Sequence, residues 1–356
     1  VIPTSKTYVS ERTRGTTFGL LAAALFGLSA PISKLLLDGI QPVLLAGLLY
    51  LGAAIGLMLY GVARCSTRES KLSRSDLPKL AVVIVAGGVL GPVLMLFGLQ
   101  RVSGLTGSLL LNLEAPLTMV LAVLAFREHS GKHAATAVAF ILLGALLLKL
   151  EKGVLAADTS GVLLLAGACS CWALDNNLTQ RLSLRDPFAI VRFKAVGAGV
   201  SNTVLGLAIP GTQLPKPVYL GTALVLGCFA YGISVVLDAY ALRLVGAARE
   251  AAYFATAPFV GALASVFLLG DRLRWFDVLA MLSMALGVML LVRERHGHGH
   301  AHTALRHEHL HEHDAHHQHQ HGLGDPIGEP HSHSHRHEPL LHDHPHLPDA
   351  HHRHRH

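Results

Sequence analysis

A chain of 356 residues that is 51% hydrophobic and only 15% charged is far poorer in charge than a soluble domain, where about a quarter of residues are charged. Its net charge of +6 does not imply nucleic acid, because lysine and arginine gather in alternate short segments between apolar runs and no basic patch is interleaved with aromatics. The four cysteines (Cys65, Cys169, Cys171 and Cys228) have neither zinc spacing nor a disulfide framework, and read as small packing residues.

Residues 1–15 are polar and basic, a cytoplasmic N-terminus ahead of the first apolar run. That run is longer than a signal-peptide core and many others follow it, so it is predicted to stay as a helix. A helix needs about twenty apolar residues to cross a bilayer. The first half supplies spans at 17–37, 43–63, 80–100, 105–126 and 134–150. The second supplies 160–179, 187–209, 219–240, 247–269 and 275–292. The thirty-five glycines fall largely inside these runs, where small residues let helix backbones approach. The fold class predicted is an all-α membrane protein: ten transmembrane helices as two inverted five-helix repeats, followed by a disordered C-terminal tail.

Orientation follows from the basic residues. With the N-terminus inside, the inner segments hold Lys6, Arg12, Arg14, Arg64, Arg68, Lys71, Arg74, Lys79, Arg127, Lys132, Arg181, Arg185, Arg243, Arg293 and Arg295. The outer ones hold only Arg101, Lys149, Lys152, Lys216, Arg272 and Arg274. This places both termini in the cytoplasm.

The halves look like copies. Setting Gly104 on Gly246 puts Pro116 on Pro258, with GLTGSLLLNLEAP and GAAREAAYFATAP equal in length. Phe26-Gly27 at the first span resembles Trp172-Ala173 at the sixth, and Pro42 after the first span resembles Pro187 after the sixth. A duplicated unit with an odd number of spans inserts its second copy upside down, the arrangement of secondary transporters that bind solute between repeats near the midplane. The predicted division is 16–150 for the first repeat, 160–293 for the second and 296–356 for the tail.

At LFGLSAPISKLLL (25–37), SLLLNLEAPLTMVLAVL (108–124), CWALDNNLTQRLS (171–183), DPFAIVRFKAVGAG (186–199) and GAAREAAYFATAPFVGALASVFLLGD (246–271), the chain resembles the drug/metabolite transporter superfamily, in its EamA-type branch. The resemblance runs from about Thr16 to Val292. It implies ten helices, a duplicated five-helix unit, a bacterial inner-membrane location and transport of small solutes, often outward. One departure is Leu48-Leu49-Tyr50, where many relatives carry a basic residue early in the second span.

Intramembrane polar residues carry the candidate pathway. Glu114 lies mid-span two residues before Pro116, and a charge at the bilayer centre costs about 2.5–3.5 kcal/mol on insertion scales. It reads as a cation-binding or proton-coupling carboxylate, or as a paired structural acid. Pro116 and Pro258 are candidate helix breaks, since proline removes a backbone donor. Asp175, Asn176 and Asn177 form a polar group in the sixth span, with Asp175 either in the pathway or at the interface. Lys194 is placed to pair with Glu114, Asp175 or Asp238. Lys34 is expected to snorkel, and Asp238 and Glu250 to be solvated or paired near inner helix ends. Asn112, Trp172 and Tyr253 are candidate cavity residues. Tyr231 and Tyr240 suit an interfacial belt.

After Arg295 the composition changes. Only His129 and His133 precede the tail, which holds the other twenty-three of 25 histidines. Its histidine–x–histidine arrays include His296, His298, His300 and His302; His307, His309, His311 and His313; and His331, His333, His335 and His337. With no apolar periodicity the segment should be disordered without metal. Neutral imidazoles suit nickel, cobalt and zinc, so the tail is a candidate divalent-metal binder, while no cofactor is required.

Three readings follow. The first is an exporter of divalent transition metals captured by the tail. The second is an exporter of amino acids, metabolites or cationic drugs with a regulatory or buffering tail. The third is a membrane-tethered metal buffer or sensor. No phosphate-cradling loop or catalytic constellation marks an enzyme. The partners implied are the lipid bilayer, a small-molecule or metal-ion substrate and a second copy in a homodimer.

Overall fold

In a computed structural model, the structure describes residues 5–63, 72–126, 132–148, 150–151, 154–155, 158–182, 186–245, 247–293, 296–302, 305–311, 331–337 and 340–346. Of the basic residues used to orient the chain, Arg64, Arg68, Lys71, Arg127, Lys149, Lys152, Arg185 and Arg295 lie outside the described residues, as does His313 of the tail.

The described residues form ten helical rods. They are α1 (Ser5–Gly27, continued by Ser29–Leu36), α2 (Pro42–Ala63), α3 (Arg74–Arg101), α4 (Gly104–Leu110, Leu111–Leu113 and Glu114–Phe126) and α5 (Lys132–Leu148), followed by α6 (Thr159–Arg181), α7 (Pro187–Ala208), α8 (Pro217–Leu226, Gly227–Ile233 and Ser234–Val245), α9 (Ala247–Phe254 and Ala257–Leu269) and α10 (Trp275–Arg293). Seven segments, including Pro42–Gly61, Arg74–Arg101 and Pro217–Ala241, are long and apolar enough to cross a membrane, and Ala135–Leu148 and Trp275–Leu291 are shorter apolar helices. The remaining rod, α6, carries Asp175-Asn176-Asn177, which lowers its hydropathy. Leu59, Leu124, Val204, Phe267 and Trp275 are 60–77% exposed, a surface suited to lipid.

Local chemistry sets the rod ends. Ser73 and Asp76 form a capping box ahead of α3. Asp186 accepts the Phe188 amide at 3.0 Å, with Pro187 in the first turn of α7 where its missing N–H costs nothing. Arg274 donates to Asp277 at the start of α10, through Nε at 2.9 Å and Nη2 at 2.8 Å.

The halves pack against each other in a symmetric pattern. The extensive pairings are α1 with α8 and α3 with α6, α1 with α9 and α4 with α6, and α2 with α7, α4 with α9 and α5 with α10. Exchanging each rod with the one five places along reproduces that set; α2 with α8 is an equally extensive pairing whose counterpart, α7 with α3, is smaller. Consecutive rods with short connections alternate direction, so a second five-rod unit starts from the opposite face. Glycine makes the close crossings possible. A side chain on Gly47 would strike Thr203 of α7, and one on Gly52 would strike the Leu224 carbonyl of α8.

Two rods contain a seven-residue π-helical segment: Ile84–Leu90 in α3 and Gly227–Ile233 in α8. Under the register that sets Gly104 on Gly246 they fall within one residue of each other. Wide turns of this kind concentrate at functional sites.

In the tail, β3 (His296–His302) pairs antiparallel with β6 (Leu340–His346), and β4 (Leu305–His311) with β5 (His331–His337). Two-stranded ribbons of this composition have no apolar face to bury and are marginal in water. A further hairpin, β1 (Leu150–Glu151) with β2 (Val154–Leu155), joins α5 to α6.

Candidate functional site

The polar interior of α6 meets the broken part of α4. In α4 a 3₁₀ turn at Leu111–Leu113 ends the first helix, and the second begins at Glu114 with Pro116 in its opening turn. Proline is tolerated there because the first amides of a helix have no internal partner. A break inside apolar surroundings leaves carbonyls that need donors. The Cys169 thiol lies 3.7 Å from the Leu110 carbonyl, and Asn177 Nδ2 donates to Thr118 O at 3.1 Å and to Ala173 O at 2.8 Å. In α9 the interruption at residues 255–256 likewise falls just before Pro258.

Four of the sequence candidates come together. Asn176 Nδ2 donates to Glu114 Oε1 at 2.7 Å. Asn176 is exposed and Glu114 half-buried, so this pair is open on one side. Lys194 Nζ, from α7, bonds Asp175 Oδ2 as an ion pair, and the Thr179 hydroxyl donates to Asp175 Oδ1 at 3.1 Å. The Asp175 side chain is 4% exposed and that of Lys194 20%, so the pair is sheltered within the bundle. Glu114 lies within electrostatic reach of both. Two acids and one base leave the group with a formal deficit of one positive charge.

The π segment of α3 forms the adjoining wall. The Gly87 carbonyl accepts from Tyr50 Oη and from Trp172 Nε1, each at 3.0 Å, and the Gly88 carbonyl accepts from Asn202 Nδ2 at 3.1 Å. Three rods, α2, α6 and α7, thus satisfy the backbone that the wide turn frees. Tyr50 and Asn202 were missed by sequence reasoning. The one available signal was the Gly87-Gly88 doublet inside an apolar run.

Other candidates lie elsewhere. Asn112 donates to Leu109 O at 3.1 Å and contacts Met284 Sδ of α10 at 3.8 Å. Tyr253 Oη shares a hydrogen bond with Thr16 Oγ1 at 3.1 Å, and its ring lies over Gly19 of α1. Lys34 does not snorkel; it donates to the Leu99 and Val102 carbonyls at 2.5 and 2.7 Å and so caps the end of α3. Asp238 of α8 and Glu250 of α9 lie beside each other, a pairing between neighbouring rods. Among the described residues, no group of three or more His, Cys, Asp or Glu is arranged to hold a metal ion.

At the face opposite the chain's start, a cavity of about 290 Å³ is lined by charged residues including Arg101, Asp158, Asp271, Arg272, Arg274 and Asp277. Arg101 Nη1 lies 3.6 Å from Asp158 and donates to Ser160 Oγ at 2.8 Å, joining α3 to α6. Hydrogen bonds from the Ser160 hydroxyl and amide, aided by Arg101, hold the Asp158 carboxyl below its ordinary range. Asp271 accepts the Leu105 amide at 2.8 Å, joining the end of α9 to the start of α4.

Comparison with known proteins agrees with this architecture. Residues 13–150 and 159–293 each match the model of the EamA-like transporter family. An uncharacterized transporter of Methanothermobacter thermautotrophicus (strain Delta H) is 28% identical over 289 residues, covering 76% of this chain and 84% of that protein. The uncharacterized transporter YyaM of Bacillus subtilis (strain 168) is 24% identical over 232 residues, covering 61% of this chain and 75% of that protein. A crystal structure at 16% identity superimposes with a TM-score of 0.59, covering 78% of this chain and 96% of that one, a likeness of fold alone.

Proposed function

The chain belongs to the EamA-like transporter family, and from that premise we propose that it is a secondary exporter of small organic solutes carrying a protonated amine, with Glu114 as the coupling carboxylate. The observation that carries this is the Glu114–Asn176 pair, open on one side at a break in α4 and beside the Lys194–Asp175 ion pair. A carboxylate at this depth is costly and is retained where it faces a partner or a pathway. A proton and an alkylammonium group are alternative occupants of one carboxylate. Their exchange moves solute one way and a proton the other, with no second energy source. Asn176 offers both an oxygen and an amide to orient the bound group. The excess of lysine and arginine on the starting face supports a cytoplasmic membrane location with both termini inside.

The test is uptake by proteoliposomes holding the full chain, under an imposed pH gradient, with a panel of labelled amines and amino acids. Glu114→Gln keeps an oxygen for Asn176 but cannot take up a proton. It is expected to cut transport by an order of magnitude or more and to remove the response to the gradient. Full transport in Glu114→Gln overturns the assignment.

The second reading, export of nickel, cobalt or zinc, is favoured by the twenty-three tail histidines. It predicts that cells expressing the full chain accumulate less of these metals, through Glu114, and that ending the chain at Arg295 weakens the effect. The central group offers such an ion carboxylates and an amide, a weaker set than imidazoles, which is why the organic reading is preferred.

A further inference from the structure

Four aromatic rings close the starting face of the bundle beneath the charged group. Tyr60 lies near the end of α2, Phe188 at the start of α7, Tyr240 near the end of α8 and Phe18 in the early turns of α1. The Tyr60 and Tyr240 hydroxyls hydrogen-bond each other. Phe188 lies 5.8 Å from Tyr60 and 6.5 Å from Tyr240, centroid to centroid, and Phe18 lies 6.2 Å from Tyr240. Two of the rings come from each half of the chain. A second tier sits deeper on the same rods: Phe26 is 5.7 Å from Tyr231, which is 5.6 Å from Tyr50. Tyr50 in turn donates to Gly87 at the charged group. Two tiers of aromatic rings thus lie between that group and the starting face, while the described cavity opens at the other face.

We propose that Tyr60 and Tyr240 form the cytoplasmic gate of the transport path, latched by their mutual hydrogen bond and flanked by Phe18 and Phe188. The inference rests on the transporter reading and on the cytoplasmic assignment of the starting face. The latch bridges α2 and α8, whose backbones cross closely at Gly52, Gly227 and Gly232. The π segment Gly227–Ile233 ends seven residues before Tyr240 on the same rod. Tightening it to α geometry shifts the following residues by one position, a rotation of about 100°. That motion withdraws Tyr240 from Tyr60 without unfolding either helix. The structure then represents the conformer closed to the cytoplasm.

The experiment is hydrogen–deuterium exchange of the full chain in lipid nanodiscs, read on peptides covering 56–63 and 234–245. Tyr60→Phe and Tyr240→Phe keep the rings and remove the hydroxyls. Each is expected to speed exchange at both sites roughly three- to tenfold, the equivalent of one lost hydrogen bond. The double variant should be no faster than either single, because one bond is lost in all three. Tyr219→Phe, at the other end of α8, should change nothing at these sites. Unchanged exchange in either single variant, or single effects that add, overturns the gate. The readout needs no solute, so a failure to find a transported amine counts against the proposed function and leaves this result standing.

Discussion

At the residue scale, the charged group divides into two parts with different energetics. Lys194 and Asp175 compensate each other in a sheltered place, whereas Glu114 has an amide for a partner and lies open on one side. Removing one member of a buried ion pair leaves an uncompensated charge and typically costs about 3–5 kcal/mol, while replacing both members is close to neutral. Asp175→Asn should therefore lower the thermal unfolding temperature of the detergent-solubilised protein sharply, and adding Lys194→Met should restore most of the loss. A double variant that loses the sum of the two single effects would show that the pair is not coupled. Much of this group was legible in the sequence, because a charge inside an apolar run is conspicuous. The candidates that lie apart from the group do so for a geometric reason. Asn112 sits in the 3₁₀ turn ahead of Glu114 and turns to the Leu109 carbonyl and to Met284 of α10. Asp175 and Asn176 are about 100° apart and accordingly turn to different neighbours, Lys194 of α7 and Glu114 of α4. Tyr253 lies on a rod that faces α1, so its ring turns to Thr16 and Gly19 and away from the charged group.

At the scale of elements, the interruptions in the helices locate the site. The break in α4 and the π segment of α3 both present backbone carbonyls at the level of the charged group, and the donors to Leu110, Gly87 and Gly88 come from neighbouring rods. The proline breaks could be read from sequence because proline's missing donor is a local property. The π segments could not, because IVAGGVL and GCFAYGI carry no local instruction for a wide turn. The α3 segment is held by side chains such as Tyr50 and Asn202, which reach it across the fold. Close packing holds the α3 segment against α6. A Cβ on Gly87 would overlap the Asp175 carboxylate, which Lys194 and Thr179 already hold. Gly87→Ala is therefore expected to cost about 1–3 kcal/mol by overpacking and to depress transport further by displacing Asp175. Gly221→Ala on α8, where a Cβ meets nothing within 4 Å, is the matched control. Parallel measurement of thermal stability and uptake separates these effects, and equal behaviour of the two variants would remove the steric argument.

At the scale of the whole molecule, the body and the tail obey different rules. The body holds together through pairings between its two halves, so a five-rod unit alone leaves its inner face uncovered. That is why duplication, visible as the common spacing of Gly104 to Pro116 and Gly246 to Pro258, was a sound guide to the architecture. The tail adds no helix among its described residues, and its chemistry is that of composition. Alternation places histidines on every second position, and the described register sets His307 opposite His335, His309 opposite His333 and His311 opposite His331. Twenty-three histidines in one segment offer several imidazoles to each of several ions. Metal should therefore bind in multiples and stabilise ribbons that are marginal without it. Equilibrium dialysis of nickel or zinc against the full chain should show several bound ions per molecule at pH 7.5, against none or one for the chain ending at Arg295. Because imidazole must be neutral to bind and its ordinary pKa is about 6.5, occupancy should fall steeply below pH 6. Among the described residues the tail strands pair with one another, so truncation should leave the thermal stability of the helical body unchanged in the absence of metal. A large loss of stability on truncation would mean that the tail is a packed part of the transporter and would end its description as an independent metal-binding segment.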